Sequence, residues 1–236
     1  MELNEHTNRV VTDNPFNSKR FFINALDRVQ VKICGVKNKG DAMAAIDSGA
    51  DALGFNLCPK SKRFIRWQEE AAWIAELPAE IARIAVTVDL SLNDARQLME
   101  EDLFDGLQLH GEETAEYCDA LAKYGKPLIK SIRLTSVALL ERVRDYAVFG
   151  FLFDGYREGE FGGTGQRFDW TLLNAVAIEK PMIVAGGLTP ENVAHAVRMI
   201  RPHAVDVASG VENTKGSKDK RKMERFIQAA RCQQQH

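Results

Sequence analysis

From residue 30 onward, short apolar runs alternate with longer amphipathic stretches in which apolar residues recur every three to four positions. The short runs, at 30–34, 51–56, 82–88, 105–109, 127–131, 149–154, 181–185 and 204–208, predict eight strands. The stretches between and after them, 39–48, 67–76, 92–101, 112–123, 136–145, 168–177, 190–199 and 218–230, predict a helix behind each strand. Ser91, Thr114, Ser136 and Thr189 stand where an N-cap is needed, and Pro190 follows at a first helical position. Regular alternation of strand and helix builds a parallel sheet through helical crossovers.

Local pattern alone is compatible with an open doubly wound sheet or with a closed ring. Eight strands in a chain of 236 residues favour closure into a single-domain (β/α)8 TIM barrel. No fixed short repeat and no low-complexity tract interrupts residues 30–231, which are therefore expected to be one α/β catalytic domain. Residues 1–29 stand apart as an N-terminal extension. Asn4, Asn8, Asn14, Pro15 and Asn17 predict a partly disordered lead, while Phe21, Phe22, Ile23 and Leu26 predict a short packed segment over 16–29 that covers the bottom of the barrel. Residues 232–236 form a polar tail expected to fray.

Composition narrows the class of partner. With 45% hydrophobic residues and a formal charge of -2, the chain can bury a large core and has no field to attract nucleic acid or an anionic membrane. A small molecule is the expected partner, and monomer and homodimer both stay open. Cys34, Cys58, Cys118 and Cys232 make no CxxC pair and no zinc-type cluster, so free thiols in a reducing compartment and no metal are expected. Residues 1–29 hold no apolar run long enough for a signal peptide or a membrane span, and this points to the cytoplasm.

In a parallel barrel the chemistry lies beyond the carboxyl ends of the strands. Cys34 ends the first strand and Asp154 the sixth, a thiol and a carboxylic acid that can act as a base and acid pair. Taken singly, Cys34 reads equally as a buried small hydrophobe, and Asp154 reads first as a helix cap or turn former. Three glycine-bearing loops shift the balance: Gly159 to Gly165, Gly186-Gly187 after strand seven and Ser209-Gly210 after strand eight. The last two occupy the place where such barrels hold a phosphate on backbone N–H groups. Arg63, in the basic loop Lys60-Ser61-Lys62-Arg63, can grip a carboxylate with its fork, whereas Lys60 and Lys62 read as solvated surface. Gln108 and His110 share one face of strand four and read as wall residues. Lys32 should point into the barrel, where it requires a carboxylate, Asp206 first and Asp51 second.

Together these motifs resemble the phosphoribosylanthranilate isomerase family over about residues 30–228. The resemblance rests on Lys32-Ile33-Cys34-Gly35, Gly54-Phe55, Ser61-Lys62-Arg63, Leu107 to Gly111, Asp154, Gly162 to Gln166, Phe168-Asp169-Trp170, Ala185 to Leu188, Ser209 to Glu212 and Lys218-Asp219, in the family's order. It implies Cys34 as general base and Asp154 as general acid in an Amadori rearrangement of tryptophan biosynthesis. It further implies a phosphoribosyl substrate, held by Arg63, Gln108, His110, Gly162, Gly163 and Thr164 around its body and by Gly186, Gly187, Ser209 and Gly210 at its phosphate. No metal or organic cofactor is implied. The chain departs from the family at Lys62, usually proline, at Ala208, often serine, at Ala85 and Thr87, often glycine and phenylalanine, and in its long extension before the first strand. A related aminoaldose isomerase of histidine biosynthesis uses two acidic residues, so the cysteine counts against it. A barrel turned binding module would not need acid, base and phosphate loops together.

Overall fold

The computed structural model describes residues 28–134, 136, 139–140, 142–155, 172–173, 178–214 and 216–232. Within them run β1 (Gln30–Cys34), α1 (Lys39–Asp47), β2 (Ala52–Asn56), α2 (Trp67–Ala75), β3 (Ala82–Thr87) and α3 (Leu92–Glu100). β4 (Gly106–Leu109), α4 (Ala115–Ala122), β5 (Leu128–Arg133), a 3-10 turn at Arg142–Asp145, β6 (Gly150–Asp154) and β7 (Met182–Val184) follow. The chain ends in α5 (Val193–Ile200), β8 (Ala204–Val207), the short hairpin β9 (Glu212–Thr214) and β10 (Ser217–Lys218), and α6 (Lys220–Arg231).

β1 to β8 pair in sequence order, all parallel, and β8 returns to β1 with Lys32 beside Asp206. The open-sheet alternative is thereby excluded, and all eight predicted strands are present within one or two residues of their expected bounds. Strand alternation divides the apolar residues between two clusters. Ala52, Ala82, Ile84, Ile129, Leu152, Ile183, Ala185 and Ala204 fill the inside of the ring. Val31, Ile33, Leu53, Phe55, Leu107, Phe151, Phe153 and Val205 belong to the larger layer packed under the helices. With Val31 and Ile33 turned outward, Lys32 and Cys34 are turned in.

Several helix starts obey the expected chemistry. The side chains of Ser91 and Thr114 cap α3 and α4, and Asn38 and Asp219 do the same for α1 and α6. Thr189 does not cap a helix, contrary to expectation: α5 begins only at Val193, with Asn192 at its N-cap position. Thr189 instead closes a turn, its hydroxyl accepting from the Glu191 N–H and its own N–H donating to Asn192 Oδ1 at 2.8 Å. The predicted helix at 168–177 falls almost wholly outside the described residues, as does most of the extension at 1–29; Ser136 is described, without its neighbours. At the bottom of the barrel Asp51 accepts from Arg28 (2.6 Å), Arg231 (2.8 Å) and the Val31 N–H (2.8 Å), so it serves the strand ends and not Lys32.

Candidate active site

A cavity of about 380 Å³ opens at the carboxyl ends of the strands, a volume suited to a small metabolite. Cys34, Arg63, Gln108, His110, Asp154, Gly186, Gly187 and Ser209 all line it. Residues chosen from six separate strand ends or loops thus meet at one mouth. Gly210 lies next to it in the 3-10 turn Ser209–Val211, and Gly162, Gly163 and Thr164 lie outside the described residues. Lys60 and Lys62 are exposed, as expected of solvated residues in the loop after β2, and they line the rim of the mouth.

Cys34 is buried at the end of β1, directly across the register from Gly54 on β2. A Cβ at position 54 would lie 2.8 Å from the Cys34 sulfur and 2.9 Å from Lys32 Nζ, so only glycine leaves both groups in place. Lys32 is fully buried and donates to Asp206 Oδ1 at 2.7 Å. Burial pushes the Cys34 thiol above its usual range, further than Lys32, Lys218 and Arg63 pull it down.

Asp154 is buried at the end of β6, and its Oδ2 lies 3.4 Å from His110 Nε2. His110 Nδ1 is in turn 2.9 Å from Gln108 Nε2, so the two wall residues form a chain that ends on the carboxyl group. Behind them Glu113 accepts from the N–H groups of Asp89 and Gly111, and Lys130 bonds both Glu113 (3.0 Å) and the Gly111 carbonyl (2.7 Å). This buried network ties the loops after β3 and β4 together and fixes the backbone that carries His110.

Arg63 is shaped by its own loop and by a distant hairpin. The Ile65 N–H donates to Asn56 O and the Arg63 N–H to Ser61 Oγ, folding the loop after β2 back over the mouth. The arginine stem lies against Gly35, where φ is +75° and any Cβ would overlap it. Its Nε and Nη2 donate to Glu212 Oε1 and Oε2 at 2.6 and 3.0 Å, and Lys218 Nζ reaches Glu212 Oε1 at 3.0 Å. Burial would raise the Glu212 carboxyl, but the Arg63 hydrogen bond and the Lys218 charge outweigh it and hold it below its usual range. The Arg63–Glu212 contact has no local signal in the sequence, since the two residues are 149 positions apart.

The glycine loops interlock. Gly186 and Gly187 both adopt positive φ, +78° and +68°. A side chain at Gly186 would overlap the Gly155 backbone beside Asp154, and one at Gly210 would overlap the Leu188 carbonyl. Asn192 latches this arrangement, accepting from the Thr189 N–H and donating to the Gly187 carbonyl at 2.8 Å each.

Comparison with known proteins agrees with this geometry. The family described as N-(5'phosphoribosyl)anthranilate (PRA) isomerase matches residues 31–229. An N-(5'-phosphoribosyl)anthranilate isomerase of Pseudomonas fluorescens is 41% identical over 208 residues, 87% of this chain and 100% of that protein. One of Thiobacillus denitrificans is 43% identical over 206 residues, 86% of this chain and 98% of that protein. The crystal structure of phosphoribosyl anthranilate isomerase from Thermotoga maritima superposes with a TM-score of 0.79 at 38% identity, covering 86% of this chain and 98% of its own. A further isomerase structure, in complex with reduced 1-(o-carboxyphenylamino)-1-deoxyribulose 5-phosphate, has a TM-score of 0.74 at 35% identity, with 86% and 98% covered. The closed eight-stranded barrel, its mouth and these matches lead to one conclusion: the chain belongs to the N-(5'-phosphoribosyl)anthranilate isomerase family.

Proposed function

We infer that this protein catalyses the Amadori rearrangement of N-(5-phosphoribosyl)anthranilate to 1-(2-carboxyphenylamino)-1-deoxyribulose 5-phosphate in tryptophan biosynthesis. The observation that carries the reading is the meeting of a buried thiol and a buried carboxyl group in one cavity beside the glycine loops. In this mechanism Asp154 protonates the ribose ring oxygen, and the C1–O bond breaks as the anilino nitrogen supplies electrons. The product is an open-chain iminium at C1. Cys34 then removes the C2 proton, and the electron pair of that C–H bond moves into the iminium to give an enolamine. Tautomerisation leaves a ketone at C2 and a reduced carbon at C1. The iminium is the electron sink, so the chemistry needs no cofactor and no metal.

The other residues fall into place around these two. His110 and Gln108 support the Asp154 carboxyl group, Arg63 faces the anthranilate carboxylate, and the backbone of Gly186, Gly187, Ser209 and Gly210 receives the phosphate. Gly162, Gly163 and Thr164 are assigned to the substrate by family resemblance. We assign residues 30–231 to the catalytic domain and residues 1–29 to an extension, and we place the protein in the cytoplasm. Among the described residues no helix is long and apolar enough to cross a membrane. The direct test is to add purified protein to phosphoribosylanthranilate and follow the loss of substrate fluorescence. Folded protein that leaves the fluorescence unchanged would exclude this activity.

Inorganic phosphate should protect the protein against thermal unfolding in a concentration-dependent way, by about 2.7 kcal/mol at a hundred times its dissociation constant. Asn192→Ala removes two hydrogen bonds from the loop that shapes this site. It should lower stability in urea by about 1–2 kcal/mol and reduce the protection by phosphate. Equal protection in the variant and the wild type would place the anion elsewhere.

A further inference from the structure

We propose that Lys32, held in place by Asp206, is a positioning residue that sets the charge of the Cys34 sulfur and so the strength of the base. This rests on the reading of Cys34 as the proton acceptor. Lys32 is fully buried, an expensive position for an ammonium group, and an apolar residue would fill the ring equally well. Its ammonium and the Cys34 sulfur flank the same point, the place where Gly54 has no side chain. Strand alternation alone puts residues 32 and 34 on one face, but only a glycine opposite lets their polar ends approach.

The surrounding charges give the arrangement a direction. Around the sulfur stand Lys32 on β1, Asp206 on β8, Arg63 on the loop after β2, and Glu212 and Lys218 on the hairpin, with Lys60, Lys62, Cys58, His110 and Asp154 around the rest of the mouth. Asp206 neutralises Lys32 and Glu212 is shared between Arg63 and Lys218, so the inner cluster holds one more cation than carboxylate. It becomes neutral when Cys34 is a thiolate. Burial opposes that charge, and Lys32 is the largest opposing influence. A purely structural Lys32–Asp206 pair would do no more than hold β1 to β8.

The two readings differ in sign. Lys32→Met leaves the Asp206 carboxylate alone beside the sulfur, so Cys34 should ionise at higher pH. Asp206→Asn leaves the ammonium unneutralised, so Cys34 should ionise at lower pH. The experiment is the pH dependence of Cys34 alkylation by iodoacetamide, read at the Cys34 peptide by mass spectrometry so that the other thiols do not contribute. We expect the midpoint to move by about one pH unit in each direction, roughly tenfold in rate at neutral pH. If Lys32→Met does not fold, Lys32→Met/Asp206→Asn compared with Asp206→Asn differs only in the ammonium, and the double variant should titrate at higher pH. Midpoints that move together, or no difference between double and single variant, would overturn the proposal. Because alkylation needs no substrate, the outcome stands apart from the turnover assay: wild-type protein that alkylates as expected and converts no phosphoribosylanthranilate refutes the function and leaves the charge coupling intact.

Discussion

Cys34→Ser and Asp154→Asn are each expected to lower kcat by about 10²–10⁴-fold while the urea unfolding midpoint stays close to that of the wild type, because in the proposed mechanism each change removes a proton carrier and little volume. Serine keeps the position of the sulfur but holds its proton too tightly to act as a base near neutral pH. Asparagine keeps the shape of Asp154 and its approach to His110, but it has no acidic proton to give the ring oxygen. The pH profile adds a check with a definite sign. Burial raises the Cys34 thiol, and the base is needed deprotonated, so wild-type kcat/KM should climb as pH rises through the thiol's ionisation and fall away below it. Steady-state assays of both variants across pH decide this. A variant with near-wild-type kcat would return its residue to a structural role.

What the sequence made legible follows from how local each signal is. Cys34 and Asp154 were identifiable because strand ends in a parallel barrel all open on one face, so finding the strand finds the residue's position. Lys32 required a buried carboxylate, and Asp206 supplied it at the expected place once β8 closed on β1. The start of α5 was misplaced for a similarly physical reason. Thr189-Pro190 has the chemistry of a cap, but Asn192 forms two hydrogen bonds to the preceding loop and delays the helix. The Arg63–Glu212 contact had no local trace, since it joins a loop after β2 to a hairpin after β8. Nor did alternation reveal that Gln108 and His110 are linked in a chain to Asp154; it showed only that they share a face. Tertiary closure made the Arg63–Glu212 and His110–Asp154 contacts, and no short window of sequence contains both ends of either.

Arg63→Ala is expected to lower kcat/KM roughly ten- to a hundred-fold, about 1.5–3 kcal/mol, with most of the change in KM. The guanidinium has five N–H donors, and Glu212 engages one on Nε and one on Nη2, so donors on Nη1 and Nη2 can meet a substrate carboxylate while the other edge stays anchored. Glu212 therefore orients the arginine instead of competing with the substrate for all of it. After Arg63→Ala, Glu212 retains Lys218 at 3.0 Å, so the site loses a cation without leaving a buried carboxylate unpartnered. Arg63→Lys should recover little, because one ammonium cannot bridge Glu212 and a ligand with the geometry of a planar fork. Lys62 lines the same mouth and can offer a second cation, so Lys62→Pro/Arg63→Ala is the cleaner background. A further rise in KM in the double variant over Arg63→Ala assigns part of the carboxylate grip to Lys62. An unchanged KM in both variants would mean that the substrate carries no carboxylate at this end, and the anthranilate assignment would then fail even if a phosphorylated sugar is still isomerised.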